Sequence, residues 1–175
     1  HLKGPPVHTL EWLKLRSPTR ELTEKCLPYL TQLTGLKNLS VGSFLSDQGL
    51  KYLADNLPPL TGQVALRGGY SKPEKGISAA GLNHLRQGAF SKAYRFTFYY
   101  FDFSGKGSLD FISDLSDPTS LKLQGKVNDS GIEKIAKLRP DLKVLQLFLT
   151  GDQTGLTDQT LVHLKSMSKL EKLEL

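Results

Sequence analysis

Apolar residues recur along this chain as a phrase: one apolar position, a second three residues on, a third two residues later. The phrase reads Leu10/Leu13/Leu15, Leu36/Leu39/Val41, Leu142/Leu145/Leu147 and Leu170/Leu173/Leu175, with degenerate copies at Val64/Leu66, Ala93/Phe96/Phe98 and Leu121/Leu123. Its central positions 13, 39, 64, 96, 121, 145 and 173 are spaced by 26, 25, 32, 25, 24 and 28 residues, so seven copies span the chain. The alternation that closes each copy is the period of a short strand with one buried face.

A second pattern follows most strands: an apolar residue, then Ser, Thr or Asn, a small or turn residue, and apolar residues at helical spacing. The copies are Leu22/Thr23/Leu27/Leu30, Leu45/Ser46/Leu50/Leu53, Ile77/Ser78/Leu82/Leu85, Val127/Asn128/Ile132/Ile135 and Leu156/Thr157/Leu161/Leu164. Side chains of Ser, Thr and Asn accept hydrogen bonds from the unpaired N–H groups of a helix start, and the apolar spacing keeps one stripe facing inward. Each unit is predicted to be a strand, a loop and a helix. The fourth, with Phe103/Leu109/Ile112, fits this pattern poorly.

These residues resemble the leucine-rich repeat family, over essentially the whole chain. Stretches such as 156–175 (LTDQTLVHLKSMSKLEKLEL) and 36–53 are similar to its helical subtypes, the ribonuclease-inhibitor-like, the cysteine-containing and the bacterial LTDxGLxxL repeats. The resemblance implies an α/β fold: a solenoid of about seven repeats, with an inner parallel sheet and outer helices, forming a single domain over 1–175. Such units bury their apolar stripes only by stacking. Where family members often carry Asn or Cys in the loop, this chain has Pro18, Phe44, Gly69, Phe101, Lys126 and Thr150, which predicts a missing side-chain ladder and an irregular solenoid. Neither end carries a recognisable cap, from which we expect a fragment of a longer protein, or self-association through an end.

Composition narrows the function. One hundred and seventy-five residues suffice for one domain with a core, and 33 of them are leucine. No apolar run approaches the roughly 18 residues of a membrane-spanning helix, so no membrane insertion is expected. No targeting segment is visible. The single cysteine, Cys26, excludes an internal disulfide framework and a multi-thiolate zinc site, and is compatible with the cytosol without fixing the compartment. A net charge of +6 favours an acidic or phosphate-bearing partner only if the cations cluster.

Motifs for chemistry are sparse. The chain has no phosphate-binding loop of the Gly-rich Lys-Ser/Thr type, no HExxH and no GxSxG, and we expect no cofactor, no metal and no enzymatic activity. His84 and His163 share a repeat position with Tyr29, Tyr52 and Lys134, which reads as a partly exposed helix flank. His1 and His8 lie in a proline-rich lead-in. Cys26 aligns with Gly49, Gly81, Gly131 and Thr160, a place for a small buried side chain, and no base can be assigned to it. Asp114/Asp117 and Asp141 with Asp152 suit turn or capping roles. The pairs Gly68/Gly69 and Gly105/Gly107 are read as turn glycines.

The positions between the buried strand residues project from the concave sheet. One row reads Trp12, Asn38, Gln63, Arg95, Ser120, Val144 and Lys172; the next Lys14, Ser40, Ala65, Thr97, Lys122, Gln146 and Glu174; the third Arg16, Gly42, Arg67, Tyr99, Gln124 and Phe148. They hold six Lys or Arg and one acid. Seven of the fifteen aromatic residues fall within 94–103. Of these Phe96 and Phe98 take core positions, Phe101 and Phe103 pack under the loop, Tyr99 projects onto the concave face and Tyr100 begins the loop at its rim.

Tyr and Arg are favoured at interface hot spots. The candidate binding residues are therefore Arg67, Arg95, Tyr99, Tyr100, Lys122 and Phe148, with Trp12 as an outlying anchor. The insertion 69–76 offers Tyr70, Lys72 and Lys75 beside Arg67. The expected function is non-catalytic recognition of a protein partner, with an acidic epitope, through this basic, aromatic-bearing face. Family members serve as substrate receptors, inhibitors, effectors and scaffolds. A binder of nucleic acid or another polyanion using the same face is the alternative, and an enzyme the third.

Overall fold

A computed structural model describes residues 9–15, 22–68, 76–105, 107–115, 118–150 and 155–175. Arg16, Pro18, Gly69, Tyr70, Lys72, Lys75, Asp117, Asp152, His1 and His8 lie outside the described residues.

The alternating segments form seven strands: β1 (Trp12–Leu15), β2 (Asn38–Val41), β3 (Gln63–Arg67), β4 (Arg95–Asp102), β5 (Ser120–Lys126), β6 (Val144–Leu149) and β7 (Lys172–Glu174). They make one sheet in the order β1-β2-β3-β4-β5-β6-β7, every pair parallel. Leu13, Leu39, Val64, Phe96, Leu121, Leu145 and Leu173 lie in one register line across all seven strands, the line that the repeat phrase predicts. The fold is thus α/β with a repeat-like parallel sheet.

Among the described residues five helices lie between the strands: α1 (Leu27–Leu30), α2 (Asp47–Asn56), α3 (Ala79–Leu82), α4 (Asp129–Leu138) and α5 (Asp158–Leu164). Leu50, Leu53, Ile132, Ile135 and Leu164 face inward and join Leu39, Val64, Phe96, Leu121 and Leu145 in one core. Its centre is aromatic. Phe98 meets Phe101, Phe103 and Phe111 edge-on at centroid distances of 5.6, 5.7 and 5.2 Å. Phe101 and Phe103 are buried under the loop, as their spacing predicts. No helix among the described residues is long and apolar enough to cross a membrane.

The predicted caps form at four of five helix starts. Ser46, Ser78, Asn128 and Thr157 each accept a hydrogen bond from a backbone N–H of the first turn, whereas Thr23 makes no such bond. The first unit runs instead through a short 3-10 turn, Glu24–Cys26, into the four-residue α1 with Pro28 in its first turn. The third breaks from α3 into 3-10 turns, and the fourth has only the 3-10 turn Asp110–Asp114. At the outer strands the expected burial is incomplete: Leu10, Leu173 and Leu175 are exposed and Leu13 and Leu15 half-buried, because each of these strands has a sheet neighbour on one side only among the described residues.

Beside the loops, whose side-chain ladder the sequence predicts to be missing, neighbouring units are linked by carboxylates at the helix starts. The residue after each cap is acidic at Glu24, Asp47, Asp129 and Asp158. Glu24 Oε1 accepts from the Ser46 N–H at 2.5 Å. Asp47 accepts from the Ser78 N–H at 2.7 Å and from its hydroxyl at 2.5 Å. Asp129 accepts from the Thr157 N–H at 3.0 Å, the Thr157 hydroxyl at 2.6 Å and the Thr160 hydroxyl at 2.5 Å. Glu24, Asp47 and Asp129 each sit over the third helical residue of the next α-helix, Gly49, Gly81 and Thr160. A Cβ on Gly49 would lie 2.1 Å from Glu24 Oε1, and one on Gly81 1.8 Å from Asp47 Oδ1.

Candidate functional site

One face of the sheet packs on the helices; the other carries the three predicted rows. In the middle row Lys14, Ser40, Ala65, Thr97, Lys122 and Gln146 follow one another strand by strand. Ala65 and Thr97 are buried although they were expected to project, because they are short and their neighbours in the flanking rows overhang them. Ser120 is buried too. Asn38 is likewise no contact residue: its Oδ1 accepts from the Gln63 N–H at 2.8 Å, and its Nδ2 donates to the Glu11 carbonyl. The Gln63 amide donates to the Thr97 hydroxyl.

Arg67 and Tyr99 are direct cross-strand partners. Tyr100 departs from the expectation that it begins the loop, since β4 continues to Asp102 and Tyr100 is the extra residue of a bulge, where pairing with β5 jumps from Tyr99 to Phe101. Its φ of 64° lies in the left-handed region, a genuine outlier for a bulky residue that costs about 1–2 kcal/mol. This inversion brings consecutive side chains to one side of the strand. The Arg67 guanidinium carbon then lies 5.1 Å from the centroids of both tyrosine rings.

Glycines on both neighbouring strands make room for the bulge. A Cβ on Gly125 would stand 1.9 Å from the Phe101 carbonyl oxygen, and the φ of 156° there disfavours any other residue. A Cβ on Gly68 would stand 2.7 Å from the Tyr100 carbonyl oxygen. Backbone strain held in place at a cluster of recognition-type side chains is a pattern of functional sites.

Two further cations are held against rings. Lys122 Nζ lies 4.2 Å from the Phe148 centroid, and Lys14 Nζ 5.8 Å from that of Trp12. Trp12 and Phe148 are exposed at 49% and 40%. Arg95 is exposed at the start of β4. Among the described residues none of Lys14, Arg67, Arg95 and Lys122 forms an ion pair. Lys172 differs, binding Glu174 at 2.6 Å. That bond, and a second from the Gln146 amide, hold the Glu174 carboxyl below its usual range.

The structure therefore brings Arg67, Tyr99 and Tyr100 into one cluster, pairs Lys122 with Phe148, and keeps Trp12 with Lys14 on β1. A depression of about 70 Å³ lies on this face, lined by Trp12, Lys14, Ser40, Ala65, Arg67 and Tyr99 among others. A second, of about 230 Å³, lies between the loop after β4 and the start of α4. Both fall below the roughly 300–1,000 Å³ of sites that enclose small ligands.

The other chemical candidates have structural partners. Cys26 is half-buried, not buried as expected, and burial pushes its thiol up, away from a reactive thiolate. Asp141 pairs with Arg139, whose guanidinium also donates to the Leu115 carbonyl. Nothing in the repeat phrase marked that buried arginine. The acid ladder did have a signal, the acid after Thr23, Ser46, Asn128 and Thr157, which Ser78, followed by Ala79, lacks. His84 and His163 are partly exposed on their helix flanks. No group of three His, Cys, Asp or Glu side chains that could hold a metal is found among the described residues.

No protein-family model matches the chain, and no curated protein matches it.

Proposed function

We propose that this chain is a leucine-rich-repeat solenoid acting as a non-catalytic protein-recognition module, which binds an acidic surface of a partner protein through the open face of its sheet. The seven-strand sequential sheet, with one buried position per unit in register, supports the repeat class. The observation that carries the functional reading is the set of cations stacked on rings and, among the described residues, outside any ion pair: Arg67 on Tyr99 and Tyr100, Lys122 on Phe148, Lys14 on Trp12. An exposed arginine normally loses rotamer freedom when it binds, and one already held against two rings loses less. Carboxylates on a partner pair with these cations, while the rings supply contact area.

The test is capture of partner proteins by the purified chain at about 0.3 M salt, compared among the native chain, Arg67→Glu/Tyr99→Ala on the open face and Lys51→Glu on α2. Loss of a defined protein with the first variant and its retention with the second supports the reading. Equal capture by all three refutes it. The same cations and tyrosines favour a second reading, a polyanion binder with Tyr99 and Tyr100 stacking on bases. In that case single-stranded RNA binds with a steep salt dependence and the protein capture disappears.

A further inference from the structure

The open face has a shape as well as a charge. Its middle row is low, with Ser40, Ala65 and Thr97 on three successive strands, and Lys14 and Lys122 stand at the two ends of that row. Arg67 and Tyr99 rise two residues along the strands on one side, Gln63 and Arg95 two residues along on the other. At about 3.3 Å per residue the flanking rows are roughly 13 Å apart. The trough runs across the strands, and its two lysines are four strand spacings, about 19 Å, from each other.

An extended chain lying in such a trough has its peptide groups unpaired, because those of the sheet are spent on the neighbouring strands. An α-helix satisfies its own, and with side chains is about 10–12 Å across, close to the spacing of the flanking rows, on whose side chains it rests above the covered middle row. The cations set its charge pattern. Measured across the strands, Lys14 on β1 to Arg67 on β3 and Arg67 to Lys122 on β5 are two strand spacings each, about 10 Å, with Arg67 set about 6.6 Å to one side of the lysine row. Seven residues of helix advance about 10.5 Å and return to nearly the same face.

Resting on the recognition reading above, we infer that the segment bound is an acidic amphipathic helix of the partner protein, laid across the strands over Ser40, Ala65 and Thr97, with carboxylates about one heptad apart against Lys14, Arg67 and Lys122. Trp12 and Phe148 flank the two ends of its path and take up its apolar residues.

Trp12 is the sole tryptophan and lines the trough, so its fluorescence reports occupancy directly. The probes are three tryptophan-free synthetic peptides of about 20 residues. The first is alanine-rich with three glutamates seven apart and leucines on the same face. The second has the same composition with the glutamates moved to the opposite face, and the third is the first interrupted by two prolines. We expect the first to shift Trp12 emission and to bind about tenfold more tightly than the other two, a difference of about 1.4 kcal/mol.

Ala65→Leu, which raises the floor, weakens it about tenfold in buffer in which the urea curve shows the variant to be fully folded. Arg67→Glu weakens it similarly and is rescued by a peptide whose central glutamate is lysine, a reciprocity that misfolding does not produce. Equal binding of the proline-interrupted peptide, or failure of the charge exchange to rescue, overturns the helix. If the first peptide fails while capture still depends on Arg67 and Tyr99, only this inference falls. If both fail, the recognition reading falls with it.

Discussion

Gly81 and Gly131 occupy the same place, third in their helices, yet the same substitution is expected to act oppositely at the two. Alanine is about 1 kcal/mol better than glycine inside a helix, and this gain applies fully in the ten-residue α4 and only in part in the four-residue α3. At Gly131 the nearest atoms to a new Cβ are Val127 Cγ1 at 3.1 Å and Leu109 Cδ1 at 3.3 Å, so side chains give slightly and Gly131→Ala is neutral or stabilising by about 0.5 kcal/mol. At Gly81 the Cβ would stand 1.8 Å from Asp47 Oδ1, 2.4 Å from its Cγ and 3.0 Å from its Cβ. The carboxylate has to leave and surrender both bonds to Ser78. Exposed charge-assisted bonds are each worth about 1 kcal/mol, so Gly81→Ala loses about 1–2 kcal/mol net of the propensity gain. The pair should differ by about 2 kcal/mol, roughly 4–8 °C in Tm for a domain of this size. Thermal and urea unfolding of both variants, and of Gly81→Ala in an Asp47→Ala background, measure it. In that background the penalty should vanish. A Gly81→Ala protein as stable as Gly131→Ala, or a penalty that survives removal of the Asp47 carboxyl, refutes the claim that the Asp47 carboxylate stabilises the fold through Ser78 and requires a glycine beneath it.

Three further outcomes are expected. The Asp129 carboxyl is held below its usual range by the Thr157 hydroxyl first, then the Thr160 hydroxyl and the Thr157 N–H. A pKa lower folded than unfolded contributes stability above the unfolded value of about 3.9 and loses it as pH falls through the folded one, so Asp129→Asn flattens the acid limb of a urea-midpoint-against-pH curve. Gly125→Ala drives a methyl against the Phe101 carbonyl, opens the β4 bulge and costs about 2–4 kcal/mol by urea unfolding, with loss of partner capture in whatever fraction stays folded. Arg139→Leu leaves the Leu115 carbonyl and Asp141 without their donor and costs about 2–3 kcal/mol by the same measurement, whereas Lys51→Glu on the exposed face of α2 changes it by less than about 0.5 kcal/mol.

The register of the whole sheet was legible because a strand with one buried face has to repeat its apolar positions in phase. Leu13 to Leu173 line up for that reason alone. Helix starts were legible where a side-chain oxygen caps them. Helix length was not: Ser78 caps α3 as Ser46 caps α2, yet α3 gives way after four residues to 3-10 turns, an outcome of packing against α2 and the aromatic centre that local pattern does not encode. On the open face, Arg67, Tyr99 and Phe148 could be assigned from alternation. Tyr100 could not, since a bulge breaks the two-residue period that placed its neighbours, and the glycines that permit it lie on other strands. The pairing of each cation with a ring depends on side-chain length and rotamer across strands, beyond what a row of letters holds.

The strictly sequential strand order also governs how the chain acquires its structure. Every ladder joins segments adjacent in sequence, so no pairing waits for a distant part of the chain, and folding advances by adding neighbours to whatever has already formed. The aromatic centre around Phe98, flanked by the two longest strands, is the natural starting point. Hydrogen exchange should then be slowest in β4 and β5 and quicken stepwise toward β1 and β7. On that account Tyr99 and Tyr100 sit in the last part of the sheet to open and Arg67 one strand from it, while Trp12 rides on a strand that frays first.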